Sequence, residues 1–529
     1  MNLTRRGFLA TAAVAAGVTA SPSAPARAAG ARYTRYDAAS PQGQAMLKSY
    51  AIAVDKMLKL PPEHPHNWFR NAFVHLMDCP HGNWWFYVWH RGYLGFFEQT
   101  VRKLSGNPAF AVPYWDWTRL PQIPETMFDG PLTPVSDAFR PYTRDIGTFT
   151  AYMKPAIRAY WDTLNREQRE QLDRRGYPEF DLLWNAVTGY DPKSGKVVPG
   201  DQAFAATDRA RYLTRSNPKL DPKTAEACSP RVVLAGLAPV KYYSPNIAGS
   251  FTSTRTASHN TMPNGSTEFS VLEGFPHNKV HNYTGGVGPW DPGPYGNMTN
   301  FLSPVDPVFF LHHSNMDRLW DVWTRKQQRR GLPILPTDPQ QLADLSDEPF
   351  LFFVRADGSY VLDGKAGDYL DMRRFDYDYA PGFPEVEGVP VARAKPSAPV
   401  SGTVAGGVGS LWLSGAQAGT VIAAVTVRRS ADPAAPREFD VLVNAPAGAR
   451  QAEADSPYFA GTISFFGPAM HHMAHDATFA VPLPQRIGAL TALKGAATET
   501  SAKLEIRLVP TNDRTAAAPA VKAVTVQGL

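Results

Sequence analysis

Seven of the thirteen histidines fall in three short segments, and any fold of this chain has to account for that grouping. NAFVHLMDCPHGNWWFYVWHRGYLGFFE holds His75, His81 and His90, EGFPHNKVHNYTGG holds His277 and His281, and DPVFFLHHSNMDRLW holds His312 and His313. His277 and His281 are four residues apart, so on a helix both imidazoles leave from one face. Neutral imidazole is the commonest side-chain metal ligand, and such a pair plus one histidine from another helix makes a three-nitrogen site. The segments supply two sets of three. Imidazole suits zinc, copper, iron and nickel alike, so spacing does not name the metal. The lack of accompanying carboxylates argues against a two-metal hydrolase.

Apolar periodicity predicts helices over residues 42–60 and 84–104, near Pro155 to Arg175, and from Pro307 to Arg329, the last with Asp306-Pro307 as its start. Long stretches rich in glycine and proline separate them, so residues 29–380 read as a helical, loop-rich domain. Residues 381–402 carry prolines without helical period and read as a linker. From 403 to 529, short runs such as Thr420–Val427, Phe439–Val443, Tyr458–Phe466, Thr478–Val481, Leu504–Val509 and Val521–Val526 predict an all-β sandwich.

Residues 1–28 read as a cleaved export signal. Arg5-Arg6 precedes a short uncharged stretch, Ala26-Arg27-Ala28 is a small-x-small cleavage pattern, and Thr4 to Leu9 resembles a twin-arginine motif. Its removal takes away three arginines and lowers the formal net charge from +5 to +2. No other segment is long and apolar enough to span a membrane, and no basic run suggests nucleic acid. The expectation is a periplasmic or secreted protein. Two cysteines, Cys79 and Cys228, leave no disulfide framework.

Four strings carry a resemblance to a known family: WHRGYLGFFE (Trp89 to Glu98), PYWDW (Pro113 to Trp117), PHNKVH (Pro276 to His281) and DPVFFLHHSNMDRLW (Asp306 to Trp320). They resemble the type-3 copper proteins, the tyrosinase, catechol oxidase and haemocyanin family. The resemblance implies a four-helix bundle around two copper ions, with O2 as co-substrate. It assigns His75, His81 and His90 to the first copper and His277, His281 and His313 to the second, with His312 beside them. It also implies a thioether between Cys79 and His81, and a water held by Glu273 and Asn278 that takes the proton of a phenol. Phe301 corresponds to an aromatic residue overhanging the second copper in plant relatives, although one residue fewer separates it from Asp306.

The implied activity is that of a tyrosinase-like polyphenol oxidase, which hydroxylates monophenols and oxidises o-diphenols to o-quinones. A catechol or o-aminophenol oxidase and a haemocyanin-like oxygen carrier are the alternatives. Phe375 to Tyr379 resembles the tyrosine motif that closes the plant catalytic domain, and Glu438 to Val441 and Tyr458 to Gly461 resemble the domain that covers the copper site. That implies a latent enzyme activated by a protease acting in or near the linker. Small phenols, this protease and a possible copper chaperone are the implied partners. The stretch Met470-His471-His472-Met473-Ala474-His475 suits either copper transfer or an exposed polar hairpin.

Overall fold

In the computed structural model of the chain, the described residues are 31–261, 266–388, 396–415, 419–432, 435–468, 474–494, 496–497, 500–511 and 518–529. Residues 1–28, read above as an export signal, and Met470 to Met473 lie outside them.

Helix α1 spans Pro41–Lys59 and is capped by Ser40, whose side chain accepts from Gly43 N–H. Helix α2, Trp68–Asp78, is buried at every position. It is eleven residues long and buries Arg70, Asn71 and Asp78 beside its apolar residues, and the periodicity reading did not pick it out although it carries His75. Asn67 starts it by accepting from the N–H groups of Phe69 and Arg70. Helix α3, Phe86–Ser105, carries His90.

The helix expected near Pro155 to Arg175 is two. Helix α4, Ile146–Thr163, contains Pro155. Helix α5, Arg166–Arg174, begins afresh at Asn165, which forms a reciprocal capping box with Gln168. Further on, a π-helical turn over Glu273–His277 runs into α6, Asn278–Thr284. Helix α7, Val308–Arg329, holds His312 and His313, and Asp306 starts it by accepting from Val308 N–H. The Phe97 ring of α3 stacks on Phe310 of α7 at 3.7 Å.

A buried ionic lattice ties α3 and α7 to both ends of this domain. Strand β1, Tyr33–Arg35, places Arg35 against Glu98 of α3 and Asp317 of α7, and Arg91 also pairs with Asp317. Tyr377 and Tyr379 donate to the same carboxylate. Burial alone would raise the Asp317 carboxyl, but Arg91 and Arg35 hold it below the usual carboxylate range.

The β-sandwich is present, with a contribution the sequence did not disclose. Strand β2, Ser266–Phe269, comes from the helical half, and β3, Tyr377–Tyr379, pairs with β1. The sandwich strands follow as β4 (Val400–Ser401), β5 (Thr403–Ala405), β6 (Val408–Ser414), β7 (Val421–Arg429), β8 (Glu438–Val443), β9 (Phe459–Ser464), β10 (His475–Leu483), β11 (Ser501–Pro510) and β12 (Val521–Gly528). One sheet has the order β9-β8-β11-β6-β5 and the other β2-β10-β7-β12-β4. Strand β2 pairs in parallel with β10, and Phe269 stacks on Phe479 at 4.8 Å. The linker is shorter than expected, because Val400–Ser401 already belongs to the sandwich and Phe383 N–H bonds to Asp116.

Candidate metal centre

Helices α2, α3, α6 and α7 bring the seven histidines together in the core, six of them on helices or the π-turn and His81 on the loop after α2. Five imidazoles are held by Nδ1. That atom lies 2.8 Å from the Phe301 carbonyl in His75, 2.7 Å from the Phe86 carbonyl in His90 and 3.4 Å from Cys79 Sγ in His81. In His277 it lies 2.9 Å from Asn278 Oδ1, and in His281 2.6 Å from the Met298 carbonyl. A carbonyl only accepts, so in His75, His90, His277 and His281 the proton sits on Nδ1 and Nε2 keeps a bare lone pair.

Those lone pairs converge. The Nε2 atoms of His75 and His90 are 3.4 Å apart, and those of His281 and His313 are 3.0 Å apart. The Nε2 atoms of His81 and His277 are buried with no hydrogen-bond partner. His90 stacks on His313 at 4.1 Å, which joins the two sets. Burial pulls His90 and His277 down to about 3, and burial with neighbouring imidazoles pulls His75, His81, His281 and His313 well below the usual value. Neutral, inward-facing and unpartnered nitrogens are what a metal ion requires.

His312 also lies within this cluster of donor atoms. Its Nδ1, however, accepts from the Trp117 indole at 3.2 Å. An indole N–H can only donate, so the His312 proton is on Nε2 and that atom offers no lone pair.

Glu273 and Asn278 hydrogen-bond to different partners. The buried Glu273 carboxyl accepts from Gly82 N–H and Ser253 Oγ–H, each at 2.5 Å, and burial pushes it up to about 8. Asn278 accepts from His277 and donates to the Ser464 carbonyl of β9 at 2.8 Å. Cys79 is buried, and loss of hydration pushes its thiol up to about 12. Cys228 is a buried free thiol. The Phe301 ring lies 5.5 Å from His81, on the side of the first histidine set.

Phe466, just beyond β9, has no counterpart in the sequence reading. Its ring lies 4.7 Å from His81, 4.5 Å from His281 and 5.5 Å from His277. The next residue, Gly467, has φ +74°, and a Cβ there would meet the Phe301 ring at 2.9 Å. The cavity left beside Cys79, His81, Phe301 and Phe466 is about 50 Å³, against the ~150 Å³ that admits benzene in an apolar core. A phenylalanine carries no chemistry that a motif search would notice; only the topology puts it here.

The model of the common central domain of tyrosinase matches residues 61–326. The chain belongs to the tyrosinase family. Membership implies a dinuclear copper centre, and the converging imidazoles fit one. The chain is 25% identical over 369 residues to polyphenol oxidase II, chloroplastic, of Ipomoea batatas, covering 66% of this chain and 49% of the relative. It thus spans about half the length of the curated relatives it matches. A latent aurone synthase (polyphenol oxidase) has the same fold at TM-score 0.55 and 19% identity, over 93% of this chain and 89% of that one. A latent apple tyrosinase matches at TM-score 0.52 and 20% identity, over 95% and 97%. The fold of a helical core followed by a β domain is therefore shared along nearly the whole length. Among the described residues, no helix is long and apolar enough to cross a membrane.

Proposed function

We propose that this tyrosinase-family protein is a polyphenol oxidase that hydroxylates monophenols and oxidises o-diphenols to o-quinones, and that its sandwich keeps it latent. The observation that carries the proposal is the convergence of imidazole Nε2 atoms held by Nδ1 partners. His75, His81 and His90 would hold one copper ion and His277, His281 and His313 the other, with His312 kept out by Trp117. The copper pair supplies the redox chemistry that uses O2 as co-substrate. The protein supplies a dry, shaped cavity and the placement of a proton acceptor.

In the closed form Phe466 fills the space over the histidines, and the Ser464 carbonyl occupies the Asn278 amide. Displacing the sandwich would free that amide to hold, with Glu273, the water that takes a phenol's proton. Phe301 would flank a substrate ring from the His81 side. Cys79 and His81 would be joined by a thioether, which fixes that ring. The arginine pair and small-x-small site within residues 1–28 support export by the twin-arginine route to a periplasmic or secreted location.

The test is oxygen uptake by the copper-loaded chain with tyrosine, catechol and an o-aminophenol, before and after the chain is cut within residues 381–402 and the sandwich removed. Uptake with tyrosine and catechol that rises on removal is expected. Uptake with catechol or aminophenol alone excludes hydroxylation, and reversible oxygenation without turnover excludes an oxidase. Turnover unchanged by removal excludes latency.

A further inference from the structure

We propose that Arg175 is the positioning residue that aims the Cys79 sulfur at the His81 ring and so controls how fast the two are joined; this rests on the thioether proposed above. Arg175 follows α5, and its buried side chain runs to the C-terminal end of α2. There Nε donates to the Leu76 carbonyl at 2.8 Å. Nη1 donates to the Cys79 carbonyl at 2.6 Å and to Asn260 Oδ1 at 3.1 Å. Nη2 donates to Cys79 Sγ at 3.2 Å. The guanidinium also lies over the Phe301 ring at 5.1 Å.

A guanidinium is planar, so the bonds to Leu76, Cys79 and Asn260 fix the directions of the two Nη2 N–H groups, one of which points at the sulfur. On its other side Sγ is 3.4 Å from His81 Nδ1, the atom bonded to Cε1, a ring carbon that carries a hydrogen. Cys79 without Arg175 has three staggered side-chain wells available, and the Arg175 N–H favours the one seen here. The joining step breaks one S–H and one ring C–H bond and forms one C–S bond. The two protons and two electrons released pass to O2, which leaves as hydrogen peroxide.

The sequence has two cysteines, so a cross-linked chain shows one thiol when denatured and weighs less by two hydrogens. Thiol titration and intact mass are followed after copper is added, in air, to the full-length wild type, Arg175→Met and Arg175→Lys, with copper content and melting temperature measured alongside. Wild type is expected to pass from two thiols to one. Arg175→Met should do so about tenfold more slowly, the rate equivalent of one hydrogen bond. Arg175→Lys, a point charge without the fork, should fall between. Either folded, copper-replete variant joining at the wild-type rate overturns the role of Arg175 and leaves the thioether standing. A wild type that keeps two thiols removes the thioether itself, and the inference with it.

Discussion

Replacing Glu438 by glutamine tests whether the sandwich is held over the histidines by charge. Lys279 lies between His277 and His281 in sequence, and its buried ammonium sits 2.5 Å from the Glu438 carboxylate of β8. Burial lowers the ammonium's proton affinity, but the charge of Glu438 more than offsets this and keeps Lys279 protonated. Glutamine preserves the shape of Glu438 and can still accept from Ser464 Oγ–H, yet it leaves Lys279 charged and unpaired in the closed form. Removing one partner of a buried pair costs about 3–5 kcal/mol. With the sandwich displaced, Lys279 meets water and the cost vanishes. At about 1.4 kcal/mol per factor of ten, the closed-to-open ratio should fall by roughly a hundred- to several-thousand-fold. The assay is catechol turnover by the uncut, copper-loaded chain. Glu438→Gln should be constitutively active, and Lys279→Met combined with Glu438→Gln, which buries no charge, should be latent again. A folded, copper-replete Glu438→Gln as latent as wild type refutes the reasoning, as does a double variant as open as the single one.

Other outcomes follow from the same geometry. His313→Ala should lose about half of the bound copper by elemental analysis, since it removes a lone pair from one of two ions, whereas His312→Ala should keep both ions at saturating copper. Asn278→Gly should lower monophenol turnover more than diphenol turnover; equal losses would contradict the role given to the water. His259 bridges Asp78 and Glu348 at 2.9 and 2.6 Å. Burial pulls this imidazole down, but the two carboxylates lift it to about 9 from 6.5. Because the folded value is the higher one, its contribution, about 3 kcal/mol for a shift of that size, is complete below pH 6.5 and is lost as pH rises through 9. The stability gap between wild type and His259→Gln in urea should therefore narrow over that range, and a constant gap would show that His259 is not a buried cation.

Legibility from sequence followed how local each signal was. Helices α1, α3 and α7 show amphipathic period or a clear start, and the strands from β7 onward show β-branched runs bounded by turns. Helix α2 is only eleven residues long and buries Arg70, Asn71 and Asp78 as well as its apolar residues, so its polar positions do not mark a solvent face. Strand β2 is four residues long and reads as loop until β10 supplies a partner more than two hundred residues later. His259 lies outside the three histidine segments, and its partners Asp78 and Glu348 come from distant parts of the chain.

By itself the sequence determined the two sets of histidines, the copper chemistry their motifs imply, and the division into a helical half and a β half. These depend on residue type and short spacing, which survive in one dimension. The tertiary structure decided the rest: that the Trp117 indole donates to His312, that Arg175 faces the Cys79 sulfur, and that Phe466 and the Lys279–Glu438 pair set the sandwich against the histidines. Each of these is a contact between residues 96 to 195 positions apart, and its sign depends on which atom donates, which is buried and which is left unpaired. No local pattern encodes that, because the energy of such a contact exists only once the chain has excluded water from both partners.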